Sequence, residues 1–98
     1  MVLQLENNDY NILQRILSKY PYQFYAYGSR VKGTARRFSD LDLCYQEEIP
    51  ISIISKIKEE LEESDLPFIV ELVNWKSMRA TFQSMISKDL VSINITPQ

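Results

Sequence analysis

Residues 28–43 of this chain read GSRVKGTARRFSDLDL, a glycine-bounded turn followed by two closely spaced carboxylates. Side chains alternate between the two faces of a strand, so Asp40 and Asp42 point the same way and Leu41 points into a core. Like charges side by side on a sheet face repel each other, so stability does not explain the pair. A divalent cation between the carboxylates does explain it, because hard cations such as Mg²⁺ prefer oxygen ligands.

The turn that precedes the carboxylates has the composition of a phosphate-binding loop. Gly28 allows the backbone to approach an anion, and exposed N–H groups near Ser29 can hold it. Arg30 and Lys32 follow and would attract a triphosphate. The segment is not a Walker A loop, because Thr34 follows the second glycine directly and the required lysine is missing. Together, the turn and the carboxylates predict a site for a metal–nucleotide complex.

This order of Gly-Ser, a spacer and an acidic-x-acidic pair on a strand resembles the signature of polymerase-β-like nucleotidyltransferases. The chain is similar to the minimal members, the MNT proteins, which form the antitoxin half of HEPN–MNT gene pairs. The resemblance implies the nucleotidyltransferase fold, an α/β (α+β) arrangement with a small mixed β-sheet flanked by helices. It also implies that residues 1–98 form a single minimal nucleotidyltransferase domain.

A third carboxylate, Glu71, lies in the apolar stretch 68–73. This stretch predicts a buried central or near-central strand. A lone charge among hydrophobic residues is costly to bury unless it is paired or bound to metal, which favours a functional role for Glu71. The alternative is that Glu71 turns to solvent at an edge strand or pairs with a basic residue such as Arg30. The resemblance implies that Glu71 joins Asp40 and Asp42 at one end of the sheet. Family members commonly have Asp at this position, so the geometry on the acceptor side is expected to differ slightly.

The resemblance also implies a reaction, namely Mg²⁺-dependent transfer of a nucleoside monophosphate, AMP from ATP, to a hydroxyl acceptor. The acceptor would lie on a HEPN-type helical partner protein. Two Mg²⁺ ions, or Mn²⁺ in their place, would be held by the catalytic carboxylates Asp40, Asp42 and Glu71. Nucleotide binding is assigned to Gly28, Ser29, Arg30, Lys32 and Ser39, with Ser39 also bonding local backbone. The alternative is a catalytically weak nucleotide-binding module that neutralises or assists its partner by contact.

Composition excludes several other classes of protein. The 98 residues contain no histidine, which rules out Ser-His-Asp triads and His-ligated zinc. The single cysteine, Cys44, gives no disulfide framework and is expected to be buried. No apolar run approaches the ~20 residues of a membrane span, and a cytoplasmic protein is expected. The net charge of -2 argues against direct nucleic-acid binding and against a polymerase or tRNA-modifying subunit. Homo- and hetero-oligomers both stay open.

Hydrophobic periodicity predicts four helices and four strands. Asn8 and Asp9 are expected to cap a first helix. The last helix is predicted over residues 76–88, with Met78, Phe82, Met85 and Ile86 on one face. The other predicted helices are 29–33 and 51–64, and the predicted strands are 23–27, 40–45, 68–73 and 90–93.

Overall fold

The computed structural model describes residues 3–93, and the alternation of helices and strands follows the predicted order. The helices are α1 (Asn7–Leu17), α2 (Ser29–Lys32), α3 (Ile51–Glu62) and α4 (Ala80–Ile86). The strands are β1 (Phe24–Tyr27), β2 (Leu41–Tyr45), β3 (Val70–Asn74) and β4 (Val91–Ser92). Within these residues, no helix is both long and apolar enough to cross a bilayer.

The four strands form one mixed sheet in the order β3-β2-β1-β4. β1 pairs antiparallel with β2 and with β4, whereas β2 pairs parallel with β3. A parallel pair needs a long crossover connection, and α3 is the helix of that connection. The predicted small mixed sheet flanked by helices is therefore confirmed.

One face of the sheet carries the main hydrophobic core, against which α1 and α3 pack. The inward residues of both helices follow the helical period seen in the sequence: Leu13, Ile16 and Leu17 from α1, and Ile54, Ile57 and Leu61 from α3. The sheet contributes Phe24, Ala26, Leu41, Leu43 and Leu72 to the same core. Leu41 and Leu43 are completely buried, which leaves the side chain of Asp42 on the opposite face.

The opposite face is covered only in part. Tyr27 and Cys44 form a smaller cluster there with Ile86 of α4, and Trp75 and Met78 pack against it. Cys44 is free and buried, as expected. Since Asp42 lies on this face beside Tyr27 and Cys44, the sheet presents a carboxylate next to the edge of an apolar cluster.

Two helix predictions are wrong in detail. α1 begins at Asn7 after Glu6, so Asn8 and Asp9 lie inside the helix and do not cap it, and Asp9 is buried. The last helix is split, because Met78 and Arg79 adopt extended backbone angles between a 3-10 turn at Trp75–Ser77 and α4. Of the predicted face, Met78 and Ile86 still pack against the sheet, in the cluster with Tyr27 and Cys44.

The consequence of that break is visible on the surface of α4. Ile86 is buried, but Phe82 is 39% exposed and Met85 is 65% exposed. The predicted apolar face is therefore buried only in part.

The prediction for β3 is also wrong. The strand lies at the edge of the sheet, next to β2 only, and Glu71 is exposed. The apolar run does not show that the strand is buried on both faces. Leu72 packs into the core, but Ile69 is exposed. The cost of burying a lone charge therefore does not apply to Glu71. The argument for a functional role of Glu71 therefore depends on which side chains lie next to it.

Candidate active site

The sheet register brings Asp42 between two polar side chains. Asp42 is paired with Tyr27 on β1 and with Glu71 on β3. Side chains of directly paired residues lie on the same face, so the carboxylates of Asp42 and Glu71 are cross-strand neighbours. Asp40 immediately precedes β2 and is exposed. The two aspartates and Glu71 are therefore gathered around one end of β2, as the family resemblance implied.

These carboxylates are close enough for their negative charges to act on one another. Burial raises the pKa of Asp42, and the negative charges of Asp40 and Glu71 raise it further. The ion pairs found among residues 3–93 join Lys19 to Glu60 and Lys76 to Glu48, so they do not neutralise this cluster. The site is a patch of mutually repelling carboxylates without a cationic partner in the described chain.

The glycine turn lies directly against Asp42. Gly28 has a φ of 84°, a conformation that residues with a Cβ rarely adopt. A Cβ built on it would lie 2.7 Å from Oδ2 of Asp42. Gly28 thus does two things: it turns the chain from β1 into α2, and it leaves room for the carboxylate. Ser29 is the first residue of α2 and is half-buried, and Lys32 at the end of this helix is exposed.

Arg30 is placed differently from the prediction. It is only 5% exposed, and all three guanidinium nitrogens donate to backbone carbonyls. Nε and Nη2 donate to Ser39 at 3.1 and 2.8 Å, Nη1 donates to Gln4 at 2.9 Å, and Nη2 also donates to Arg36 and Arg37 at 3.3 and 3.0 Å. A guanidinium committed to these carbonyls is a support for the loop before β2. The expected phosphate contact is corrected accordingly.

Further contacts fix the same loop from both sides. The Arg30 guanidinium carbon lies 4.2 Å from the ring centroid of Phe68, a cation–π arrangement. The side chain of Gln4 donates to the carbonyl of Ala35 at 2.9 Å and accepts from its N–H at 3.1 Å. Ser39 Oγ accepts from the N–H of Arg36 at 2.8 Å, which confirms that Ser39 bonds local backbone. The loop that delivers Asp40 and Asp42 is therefore anchored at several points.

We expect Arg30→Lys to lower the free energy of unfolding by about 1–2 kcal/mol, because a lysine cannot reproduce the planar fork that joins the carbonyls of Gln4, Arg36, Arg37 and Ser39. Urea denaturation measures the change. The matched control is Arg36→Lys, the same exchange at an exposed arginine, which should stay within about 0.5 kcal/mol of the parent. An Arg30→Lys protein of unchanged stability with weakened ATP binding would instead restore the phosphate role.

A divalent cation fits this site by its donor chemistry. The candidate ligands Asp40, Asp42 and Glu71 all offer carboxylate oxygens, which hard cations prefer. Gly28 leaves the Oδ2 side of Asp42 free of any Cβ. Among residues 3–93, however, no three side chains of His, Cys, Asp or Glu are close enough to hold a metal ion as they stand. The residues suit a cation that is bound together with further oxygen ligands, such as phosphate or water.

Comparison with protein families decides the class of the chain. Residues 11–95 match the model of the family described as polymerase beta, nucleotidyltransferase. The chain belongs to this family. Nucleotidyltransferases are enzymes, and the resemblance first indicated by the Gly-Ser turn and the acidic pair is confirmed.

Two relatives of this nucleotidyltransferase are informative. It is 37% identical to the probable protein adenylyltransferase MntA of Haemophilus influenzae, over 93% of this chain and 83% of that protein. Its fold also matches a crystal structure of a toxin–antitoxin with AMP-PNP, at a TM-score of 0.66 and 22% identity. That match covers 89% of this chain and 73% of the solved chain, and it supports the fold.

Tyr27 is a residue near the site to which sequence reasoning gave no role. Burial raises the pKa of Tyr27 to about 12, and the charges of Asp42, Cys44 and Glu71 contribute. The phenol therefore stays protonated near neutral pH. Its ring meets Phe82 of α4 edge-on, with centroids 5.9 Å apart. The sequence feature that could have indicated Tyr27 is its position directly before Gly28, at the end of the strand that pairs with β2.

Proposed function

We propose that this nucleotidyltransferase moves AMP from ATP to a hydroxyl group of a partner protein, in the manner of an antitoxin that modifies its toxin. The observation that carries the proposal is the position of Asp42 between Glu71 and the Gly28 turn. The MntA relative, named as a probable protein adenylyltransferase, supports a protein acceptor and the adenylyl group. The solved toxin–antitoxin with AMP-PNP supports nucleotide use in such a pair.

The residues divide into two roles. Gly28 and Ser29 would hold the terminal phosphates through backbone N–H groups and the Ser29 hydroxyl, and exposed Lys32 would add positive charge. Asp40, Asp42 and Glu71 would hold Mg²⁺, or Mn²⁺ in its place, which neutralises triphosphate charge and activates the acceptor oxygen when bound. Arg30 and Ser39 would not contact the nucleotide. Their hydrogen bonds would hold the loop that carries Asp40 in place.

The transfer itself needs one bond made and one broken. The acceptor oxygen forms a bond to the α-phosphorus, the bond between that phosphorus and the bridging oxygen breaks, and pyrophosphate leaves. Glu71, on the edge strand β3, would lie on the acceptor side and receive the hydroxyl proton. Tyr27, which keeps its proton near neutral pH, is available on the other side of Asp42 as a hydrogen-bond donor.

The acceptor we favour is a HEPN-type helical protein encoded beside this chain. A nucleotide substrate and a cysteine content that allows no disulfide within the chain fit a cytoplasmic enzyme. ATP is the first candidate among the nucleoside triphosphates because AMP-PNP and the adenylyl group recur in the two comparison proteins.

A second candidate function is a nucleotide-binding module that neutralises its partner by contact. One observation favours it: Glu71 is exposed on an edge strand. The family resemblance also implies Asp, and not Glu, at this position. Misplacement of a reacting group by about 1 Å can cost about 10²-fold in rate. A module that acts only by contact would bind nucleotide but would not transfer AMP.

The deciding experiment follows label from [α-³²P]ATP in the presence of Mg²⁺ or Mn²⁺, with and without the neighbouring gene product. We expect label on the partner with the parent protein and none with the Asp40→Asn, Asp42→Asn double variant. The other three nucleoside triphosphates, labelled likewise, identify the preferred base. Nucleotide binding is measured in parallel by calorimetry.

The two functions give different outcomes. Label that depends on the aspartates establishes protein adenylylation. Metal–ATP binding without label from any of the four nucleotides contradicts it and leaves the contact function. Partner neutralisation that survives the double variant also favours contact, whereas its loss favours the enzyme.

A further inference from the structure

A cavity of about 420 Å³ lies along the outer edge of β3, beside the C-terminal half of α3. Its apolar wall is built from both elements and the segment before β3, with Leu61, Leu66, Phe68, Ile69 and Leu72. Glu71 also lines it. The cavity therefore opens on the same carboxylate that serves the acceptor side of the candidate active site.

The backbone of β3 is available along this cavity. β3 ends the strand order, so in the described chain no strand pairs with its outer side. The carbonyl of Ile69 accepts from the N–H of Leu41 at 2.9 Å, which directs the backbone of Ile69 toward β2. Because backbone groups alternate along a strand, those of Glu71 also face β2, while those of Val70 and Leu72 face the open edge.

The cavity reaches both faces of the sheet at that edge. Phe68 and Leu72 belong to the face that packs on α3, whereas Glu71 lies on the face of Asp42. Ile69, which is 64% exposed, lies on the same side as Glu71 by alternation. An occupant that sends successive side chains to opposite faces is an extended strand, so the shape matches a peptide better than a compact ligand.

The charges around the cavity restrict the occupant further. Lys58 and Glu62 line its rim together with Glu71. Exposed Glu59 and Glu63 continue the same surface of α3. The net charge of this surface is negative, which favours a peptide flanked by lysine or arginine.

We propose that the acceptor segment of the partner pairs with β3 as a fifth strand, its hydroxyl side chain facing Glu71 and its two neighbours filling the apolar groove. This inference deepens the proposed function and rests on it. Main-chain hydrogen bonds to Val70 and Leu72 supply affinity, and the groove selects apolar residues on both sides of the hydroxyl residue. The acceptor is thus an extended apolar–hydroxyl–apolar segment with basic flanks.

The first test blocks the edge. Ile69→Lys places a charge where strand pairing would occur, a device that natural edge strands use against pairing. We expect the KM for the acceptor to rise about tenfold or more, with kcat and ATP affinity unchanged. The matched control is Ile51→Lys, the same change at an isoleucine that is 84% exposed at the start of α3 and does not line the cavity. An unchanged acceptor KM for Ile69→Lys, or an equal rise for both variants, overturns the proposal.

The second test does not depend on turnover. The probe is the capped pentapeptide acetyl-Lys-Val-Tyr-Val-Lys-amide, added to ¹⁵N-labelled parent protein, with the valines replaced by prolines as a control. We expect amide shifts concentrated in residues 68–72 and slower hydrogen exchange at Val70 and Leu72 with the valine peptide only. Absent shifts, or equal shifts with the proline peptide, overturn strand pairing even if AMP transfer is observed. If the parent transfers no AMP, the proposed function fails, and this measurement still decides whether the edge binds a strand.

Discussion

Asp42→Asn is expected to abolish transfer while making the protein more stable at neutral pH. Transfer is lost because Asp42 is the central carboxylate of the proposed metal site. Losing about 4 kcal/mol of transition-state stabilisation lowers the rate about 10³-fold. The gain follows from the repulsion in the cluster. Burial and the charges of Asp40 and Glu71 raise the pKa of Asp42 in the folded protein. Asparagine removes a charge that the fold disfavours and keeps the shape beside Gly28.

The sign of the pH dependence can be stated in advance. A carboxyl whose pKa is higher in the folded state binds more protons there than in the unfolded chain. Stability contributed by Asp42 is therefore lost as pH rises from the ordinary carboxyl pKa through the raised one. The melting-temperature gain of Asp42→Asn should appear above this window and vanish below it.

Thermal melts between pH 3 and pH 8, beside label transfer at pH 8, measure both effects of Asp42→Asn. The control is Asp65→Asn, the same exchange at an exposed aspartate in the loop after α3. It should leave transfer unchanged and show no comparable gain at neutral pH. An Asp42→Asn protein that is inactive but less stable than the parent at neutral pH would contradict the repulsion argument.

Gly28→Ala is expected to reduce transfer about 10²-fold, because the added methyl group displaces the carboxylate of Asp42, and a shift of about 1 Å has that effect on rate. The methyl would stand 2.7 Å from Oδ2, too close for the two to coexist. The substitution also places a Cβ at a φ of 84° and a ψ of -153°, a conformation essentially restricted to glycine, at a cost of about 1–3 kcal/mol in the free energy of unfolding.

Gly33→Ala separates these two effects. Gly33 has a φ of 77°, close to that of Gly28, but a Cβ there meets no atom within 4 Å. Both variants should lose stability in urea denaturation, with the larger loss for Gly28→Ala, because its ψ of -153° and the contact with Asp42 add to the cost. Only Gly28→Ala should lose transfer activity. Equal activity losses would show that turn flexibility, and not the contact with Asp42, governs the rate.

The sequence sufficed for the parts of the site that depend on local geometry. The i, i+2 spacing of Asp40 and Asp42 and the buried pattern of β2 follow from strand alternation, which acts between neighbours in the chain. The same holds for the inner faces of α1 and α3, whose apolar residues repeat with the helical period. The third carboxylate, Glu71, was found because it interrupts an apolar run.

The wrong predictions concern features that depend on contacts between distant parts of the chain, which local sequence patterns do not reveal. An apolar run such as 68–73 looks alike in a central and an edge strand, and only the strand order shows that β3 has one neighbour. Arg30 looked like a phosphate contact because it follows the Gly-Ser turn. Its actual partners include Gln4 and Ser39, which lie far from it in sequence or across a loop whose path no local rule gives. The break before α4 depends on backbone angles at Met78 and Arg79 that the pattern of hydrophobic residues does not encode.

The parallel pairing of β2 and β3 has a consequence for the newly made chain. On the ribosome, the phosphate turn and the aspartates emerge well before Glu71, and the crossover helix must form between them. Glu71 comes beside Asp42 only after β3 has docked in the correct register, since a slip of one residue would place Leu72 at the site and Glu71 in the core. We therefore expect incomplete or misregistered chains to lack the assembled carboxylate cluster, and with it the proposed transfer activity, until folding ends.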